Sequence, residues 1–202
     1  MLLLLMRILG FIAAAIAIDI RFMDNQYCNG WGVGCADMPP NQCCYVPGEC
    51  PMNCTQAIGY SFVPYNWEVT LHGSKDTNCD EEVVQSYTTE WSKFEDNRYI
   101  CLSYLRHTRG SIYRSGKYTF GRHKASDGTF TDGSNTQDCK RVDTLYLANG
   151  TNYAIDHMGD DAMENLVGLH PTCGISSNAD LINSSSLSGM TPLTTPRSRA
   201  LV

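Results

Sequence analysis

The chain is short of positive charge. Its 15 Lys+Arg face 21 Asp+Glu, giving a formal net charge of −6 and a pI near 5.3. An acidic balance excludes general nucleic-acid affinity, because binding phosphates needs an excess of cations. Long hydrophobic runs are also missing. The longest, Ile8 to Ile18, stops well short of the ~20 residues that span a bilayer, so no membrane span is expected. No G-x-S-x-G elbow occurs, since Gly59-Tyr60-Ser61-Phe62-Val63 lacks the second glycine, and there is no H-E-x-x-H. Paired zinc knuckles are absent; only Cys50 and Cys54 have knuckle spacing. No internal repeat is evident. Catalytic residues, metal ligands and cofactors are therefore left unassigned. Apolar residues are not lacking: at 43% hydrophobic the chain can bury a core, which excludes generic disorder.

The N-terminus reads MLLLLMRILGFIAAAIA over residues 1–17. One base, Arg7, precedes the apolar run, and Ala15-Ile16-Ala17 fits the small-x-small rule of signal peptidase. This predicts a signal peptide cleaved after Ala17, with translation starting at Met1 or Met6, and a secreted, extracellular protein. Sequons stand at Asn53, Asn149 and Asn183, of which Asn149 occupies a predicted tight turn.

The ten cysteines are Cys28, Cys35, Cys43, Cys44, Cys50, Cys54, Cys79, Cys101, Cys139 and Cys173. An even number in an oxidising compartment predicts five disulfides. The first six follow C-x6-C-x7-CC-x5-C-x3-C. That spacing resembles an inhibitor cystine knot, which would imply the pairs Cys28–Cys44, Cys35–Cys50 and Cys43–Cys54. Its CC-x5-C portion also resembles hevein-type chitin-binding modules, without their sugar-stacking aromatics. The alternative is a cysteine-rich segment stapled onto a larger fold. Because adjacent Cys43 and Cys44 do not easily bond each other, they tie two places to one point.

Four regions follow: the signal peptide 1–17, a cysteine-rich, loop-rich segment 18–57, a β-rich domain 58–173, and a Ser/Thr/Pro-rich tail 174–202 that is expected to be disordered. Trp67, Val69 and Leu71 alternate with polar residues, the period of a half-buried strand. Residues 98–106 also read as a strand. Residues 112–120 read as a hairpin about Ser115-Gly116. VDTLYLANGTNYAI, Val142 to Ile155, predicts a hairpin with a type I′ turn at Asn149-Gly150. Val83, Val84, Tyr87, Trp91 and Phe94 recur at spacings of 3 and 4, which predicts a helix over 80–94 with Asn78 and Glu81 as its capping box. Residues 160–167 predict a short helix. The fold class is mainly β: a single disulfide-stapled antiparallel β domain with one or two short helices and a disordered C-terminal tail.

The densest charge feature lies at 98–124, where Arg98, Arg106, Arg109, Arg114, Lys117, Arg122 and Lys124 occur without an acid, interleaved with Tyr99, Tyr104, Tyr113, Tyr118 and Phe120. Either this is one basic face with stacking rings, with Arg106, Arg109, Arg114, Lys117, Tyr104 and Tyr113 as its binding residues, or its charge is cancelled by the acids of 76–96. Asp156-His157 reads as a solvated turn rather than a metal site.

The short leader, the Pro39-Pro40-Asn41-Gln42-Cys43-Cys44 stretch, and Cys139 followed by the 142–155 hairpin resemble the small secreted cysteine-rich proteins of filamentous ascomycete fungi. That resemblance implies an effector-like, non-catalytic protein, monomeric, that binds a host protein or a cell-wall glycan. Two other readings are a chitin- or glycan-binding module with Trp31, Tyr45 and Trp67 as platforms, and a small secreted hydrolase or ribonuclease.

Overall fold

The computed structural model describes residues 17–47, 55–79, 83–90, 92, 96–103, 113–120, 137–159 and 161–163. They form eleven strands: β1 (Ile18–Met23), β2 (Gly32–Met38), β3 (Gln42–Tyr45), β4 (Ala57–Pro64), β5 (Val69–Ser74), β6 (Val83–Thr88), β7 (Asn97–Ser103), β8 (Ser115–Phe120), β9 (Gln137–Arg141), β10 (Thr144–Tyr146) and β11 (Asn152–Ala154). A six-stranded sheet has the order β11-β10-β2-β1-β4-β7, and a five-stranded sheet the order β6-β5-β8-β3-β9. The protein is mainly β, and every pairing is antiparallel except β3 with β9. Among the described residues, no helix is long and apolar enough to cross a membrane.

Alternation builds the sandwich. In β1, Ile18, Ile20 and Phe22 enter the core and are almost fully buried, while the pleat sends Asp19, Arg21 and Met23 to the other face. Val33 and Cys35 of β2, Ile58 and Tyr60 of β4, Leu71 of β5 and Tyr118 of β8 join the same core, so the two sheets share one apolar interior. Tyrosines fasten it. The Tyr60 hydroxyl donates to the His72 carbonyl of the opposite sheet at 2.6 Å, and Tyr118 donates to the Met38 carbonyl at 3.0 Å. Both phenols are pushed above their ordinary pKa by burial, as expected for rings with an apolar body and one satisfied polar tip.

Several expectations are corrected. Residues 18–57, read as loops, contain β1, β2 and β3, and β1 lies inside the six-stranded sheet between β2 and β4. The alternation of IDIRFM carried that strand, but the cysteine and glycine density around it obscured it. The helix expected over 80–94 is instead strand β6 over Val83–Thr88. Val83 and Tyr87 lie four apart, which suits one strand face as well as one helix face, and pairing with β5 decides between them. Nor does Asn78 cap a helix; the Asp76 carboxylate accepts the Asn78 and Cys79 amides at 2.7 and 2.6 Å, a side chain-to-backbone turn. In place of the hairpin expected at 112–120, Ser115–Phe120 form a single strand, β8, with no turn at Ser115-Gly116. The helix expected over 160–167 is present in its described residues 161–163, with Met163 buried.

The hairpin β10–β11 forms in the expected place, but its turn is not type I′. The Leu147 carbonyl accepts the Gly150 amide at 2.9 Å, and the Leu147 amide donates to the Thr151 carbonyl. Gly150 has φ +84° while Asn149 is not among the positive-φ residues. The loop is a three-residue turn ending in a left-handed glycine, the type I plus G1-bulge solution.

The cystine-knot pairing is also corrected. The described disulfides are Cys28–Cys101, Cys35–Cys44 and Cys43–Cys79. Cys35–Cys44 joins β2 of one sheet to β3 of the other. Adjacent Cys43 and Cys44 point to opposite sides of β3, so one bond enters the core and the other fastens the turn after β5. Cys50, Cys54, Cys173 and the tail 174–202 lie outside the described residues. Cys139 is exposed on β9.

Candidate functional site

The basic, aromatic stretch 98–124 does not form one surface in its described residues. Its first part is β7 in the six-stranded sheet and its last part is β8 in the five-stranded sheet. The alternation of each strand divides it again. Tyr113 is fully buried, and its hydroxyl donates to Gln85 Oε1 at 2.7 Å; it is a core ring with its polar tip used internally, not a stacking platform. Arg114 is half-buried ahead of β8, and Lys117 is half-buried on that strand, opposite His72. Arg106, Arg109 and Tyr104 lie outside the described residues. Trp31, expected as a platform, belongs to the core, whereas Trp67 is half-buried against it. Tyr45 is half-buried on β3.

One pole of the sandwich gathers what the sequence scatters. There β4 ends, 65–68 crosses between the sheets, β7 begins and β8 ends. Tyr65, Trp67, Arg98 and Phe120 converge. The Arg98 guanidinium stands over the Tyr65 ring at 5.1 Å, and its Nη2 donates to the Trp67 carbonyl at 3.2 Å and the Glu90 carbonyl at 3.4 Å. Trp67 and Phe120 pack at 4.9 Å between centroids, tilted by 60°. Thr89 holds the crossing in place: its hydroxyl donates to the Trp67 carbonyl at 2.7 Å and accepts the Val69 amide at 2.9 Å. Phe120 is 38% exposed. Rings and a guanidinium are thus presented at strand ends, where the backbone is fixed by ladder hydrogen bonds.

The outer face of the smaller sheet bears hydroxyls. Thr88, Thr70 and Thr119 lie in one row across β6, β5 and β8. Thr70 and Thr88 hydroxyls hydrogen-bond at 2.9 Å, and His72 Nε2 lies 3.3 Å from the Thr119 hydroxyl. Burial, and secondarily the Lys117 ammonium, hold the His72 imidazole below its ordinary pKa of 6.5, so it faces the row neutral near pH 7. The pole supplies ring faces and a fixed cation, and the outer face supplies hydroxyl donors and acceptors; both are functional groups of recognition.

The outer face of the larger sheet is occupied by its own charges. Arg21 lies over the Tyr146 ring at 4.1 Å and 3.6 Å from Asp19. Lys140, from β9 of the smaller sheet, meets Asp143 at 2.6 Å and donates to the Ala36 carbonyl of β2 at 2.9 Å. Tyr99 lies across Gly59, its hydroxyl donating to the Cys28 carbonyl at 2.9 Å. Asp156 and His157 are exposed, 3.4 Å apart, and the described residues hold no cluster of three metal-ligating side chains. Asn149 is exposed at the hairpin tip, with its Oδ1 accepting the Thr151 amide. Asn53 and Asn183 lie outside the described residues.

Sequence reasoning singled out Trp67, Arg98 and Phe120 separately and missed Tyr65. Nothing in the linear order signals that residues 65, 67, 98 and 120 meet.

No curated protein and no solved structure matches the chain. Residues 19–143 match the model of a family described as an N-terminal domain. That span runs from β1 to the residue before β10 and covers more than half of the 202 residues. The chain therefore belongs to the ARB_05566_N family.

Proposed function

We propose that this is a secreted, non-catalytic binding protein that engages a host or cell-wall partner outside the cell, in the manner of the effector-like cysteine-rich proteins it resembles. The observation that carries this reading is the pole where Trp67 and Phe120 pack beside the Tyr65-backed Arg98. A partly exposed aromatic group with a fixed guanidinium has the makeup of interface hot spots. Three described disulfides and the N-terminal leader support the extracellular setting, since such bonds persist in oxidising compartments. The exposed Asn149 keeps its Nδ2 available for a glycan.

A glycan partner is the second reading. It is favoured by the Thr70, Thr88 and Thr119 hydroxyls in one row on the outer face of the smaller sheet, and it moves the aromatic platform from Trp31 and Tyr45 to Trp67 and Phe120. The test is retention of the exported protein on insoluble chitin and on plant cell-wall material, together with infiltration into leaf tissue. Trp67→Ala, Phe120→Ala and Arg98→Gln should each abolish retention or the leaf response. Undiminished activity in all three variants, or inertness of the parent in every assay, overturns the proposal.

A further inference from the structure

The turn of the hairpin β10–β11 carries Asn149-Gly150-Thr151, an acceptor sequence for an N-linked glycan. Of the three such sequences in the chain it is the one whose residues are all described. The hydrogen bonding fixes its side chain. The Thr151 amide is a donor, so the Asn149 atom that meets it at 2.9 Å is the acceptor, Oδ1. The Asn149 Nδ2 is left out of that bond, on an exposed residue. A sugar on Nδ2 replaces one of its two hydrogens and leaves Oδ1 as it is, so the turn keeps its hydrogen bond. There is also room beside it: a Cβ placed on Gly150 would meet nothing within 4 Å.

Strand register says where this tip stands. Tyr146 lies opposite Gly32, Gly32 opposite Met23, and Met23 opposite Ala57. The tip therefore leaves the larger sheet at the end where β4 begins. From there β4 runs to Pro64, next to Tyr65 and the aromatic pole. At ~3.3 Å per residue that run is about 23 Å. The Asn149 tip and the pole of Tyr65, Trp67, Arg98 and Phe120 stand at opposite ends of the sandwich.

We infer that Asn149 carries an N-linked oligosaccharide, and that this glycan stands clear of the sheet at the end turned away from the pole. A bulky, solubilising group of this kind needs a surface position. In the transfer, Nδ2 bonds to the anomeric carbon of an oligosaccharide held on a lipid pyrophosphate. The bond from that carbon to the phosphate oxygen breaks, the lipid pyrophosphate leaves, and Nδ2 gives up one proton. The inference deepens the binding reading and rests on it for export of the chain, but it uses none of the pole residues. Substitutions at the pole and at the hairpin tip therefore test the two separately.

The experiment uses the full chain, made with its leader in a eukaryotic secretory host. Asn53→Gln/Asn183→Gln leaves Asn149 as the acceptor. The exported product should lose mass on digestion with peptide-N-glycosidase, which converts a sugar-bearing asparagine to aspartate, and peptide mapping should find that aspartate at 149. Adding Thr151→Ala removes the hydroxyl that the transferase reads but keeps the backbone amide that Asn149 accepts, so the mass loss should vanish; Thr151→Ser should retain it. If the Asn53→Gln/Asn183→Gln chain folds poorly, the same peptide map of the parent chain gives the readout at 149. Export with unmodified Asn149 overturns the inference and leaves the extracellular reading standing. Retention inside the cell with the leader attached overturns both. Trimming the glycan to its first sugar should leave the urea midpoint in place; a fall of more than about 0.5 M means that the sugars pack on the sheet, and overturns the placement.

Discussion

Replacing the Cys28–Cys101 bridge by Cys28→Ala/Cys101→Ala tests how the disulfides hold this sandwich. Taken alone, a separation of 73 residues corresponds to about 4.4 kcal/mol of denatured-state loop entropy. The other bonds shorten that loop. A path from Cys28 to Cys35, across to Cys44, back to Cys43, across to Cys79 and on to Cys101 leaves about 30 residues of free chain, or about 3.6 kcal/mol. With an m-value near 2 kcal/mol/M, the urea midpoint of the oxidised variant should fall by about 1.8 M. Cys35–Cys44 closes a separation of only 9, about 2.6 kcal/mol, yet both of its cysteines are fully buried. Removing it leaves a cavity between the sheets, which adds to the entropic loss. The two bonds also differ in access. Cys101 is exposed, so a mild reductant should open Cys28–Cys101 while the fold persists, and Cys35–Cys44 should open only with global unfolding. Mass-spectrometric mapping of alkylated thiols during graded reduction reads that order. A midpoint shift below about 0.5 M, or alkylation of Cys35 and Cys44 before Cys28 and Cys101, refutes the reasoning.

Tyr60→Phe deletes the inter-sheet hydrogen bond to the His72 carbonyl but keeps the ring, so thermal unfolding should shift by about 1 kcal/mol, or roughly 2–4 °C; no shift would mean that this bond does not fasten the sheets. Because the folded chain holds His72 below 6.5, the unfolded chain takes up a proton that the folded one refuses as pH drops through that value. Stability should therefore fall on acidification, and His72→Gln should flatten this dependence in urea melts between neutral pH and the folded-state pKa; an unchanged slope counts against the assignment. A methyl group at position 59 would overlap the Tyr99 hydroxyl, so Gly59→Ala should cost about 1–3 kcal/mol. That penalty should largely vanish in the Tyr99→Ala background, a non-additivity that a double-mutant cycle reads directly.

Period-two patterning was legible wherever one face of a strand meets the core. The 67–71 alternation runs into β5, which begins at Val69, and the described residues of 98–106 lie in β7. The flanks of Asn149-Gly150 became a hairpin, though hydrogen bonding at Leu147 chose a longer turn than the dipeptide alone implied. Val83 to Thr88 was misread because valines and tyrosine spaced by four satisfy both periods. Only the neighbouring β5 made the strand the lower free-energy choice.

The linear order alone determined the class of the fold, the cross-braced chemistry and the acidic balance, because alternation, cysteine count and charge are local or additive properties. Tertiary structure decided which sulfurs meet, which rings are core and which are surface, and how the 98–124 stretch is divided. Those outcomes depend on the order in which strands pair. Tyr65, Trp67, Arg98 and Phe120 share one pole because two sheets end there, and β6 lies at an edge because β5 alone pairs with it among the described residues. Distances across a sandwich are set by pairing between segments far apart in the chain, and no local pattern of residues encodes them.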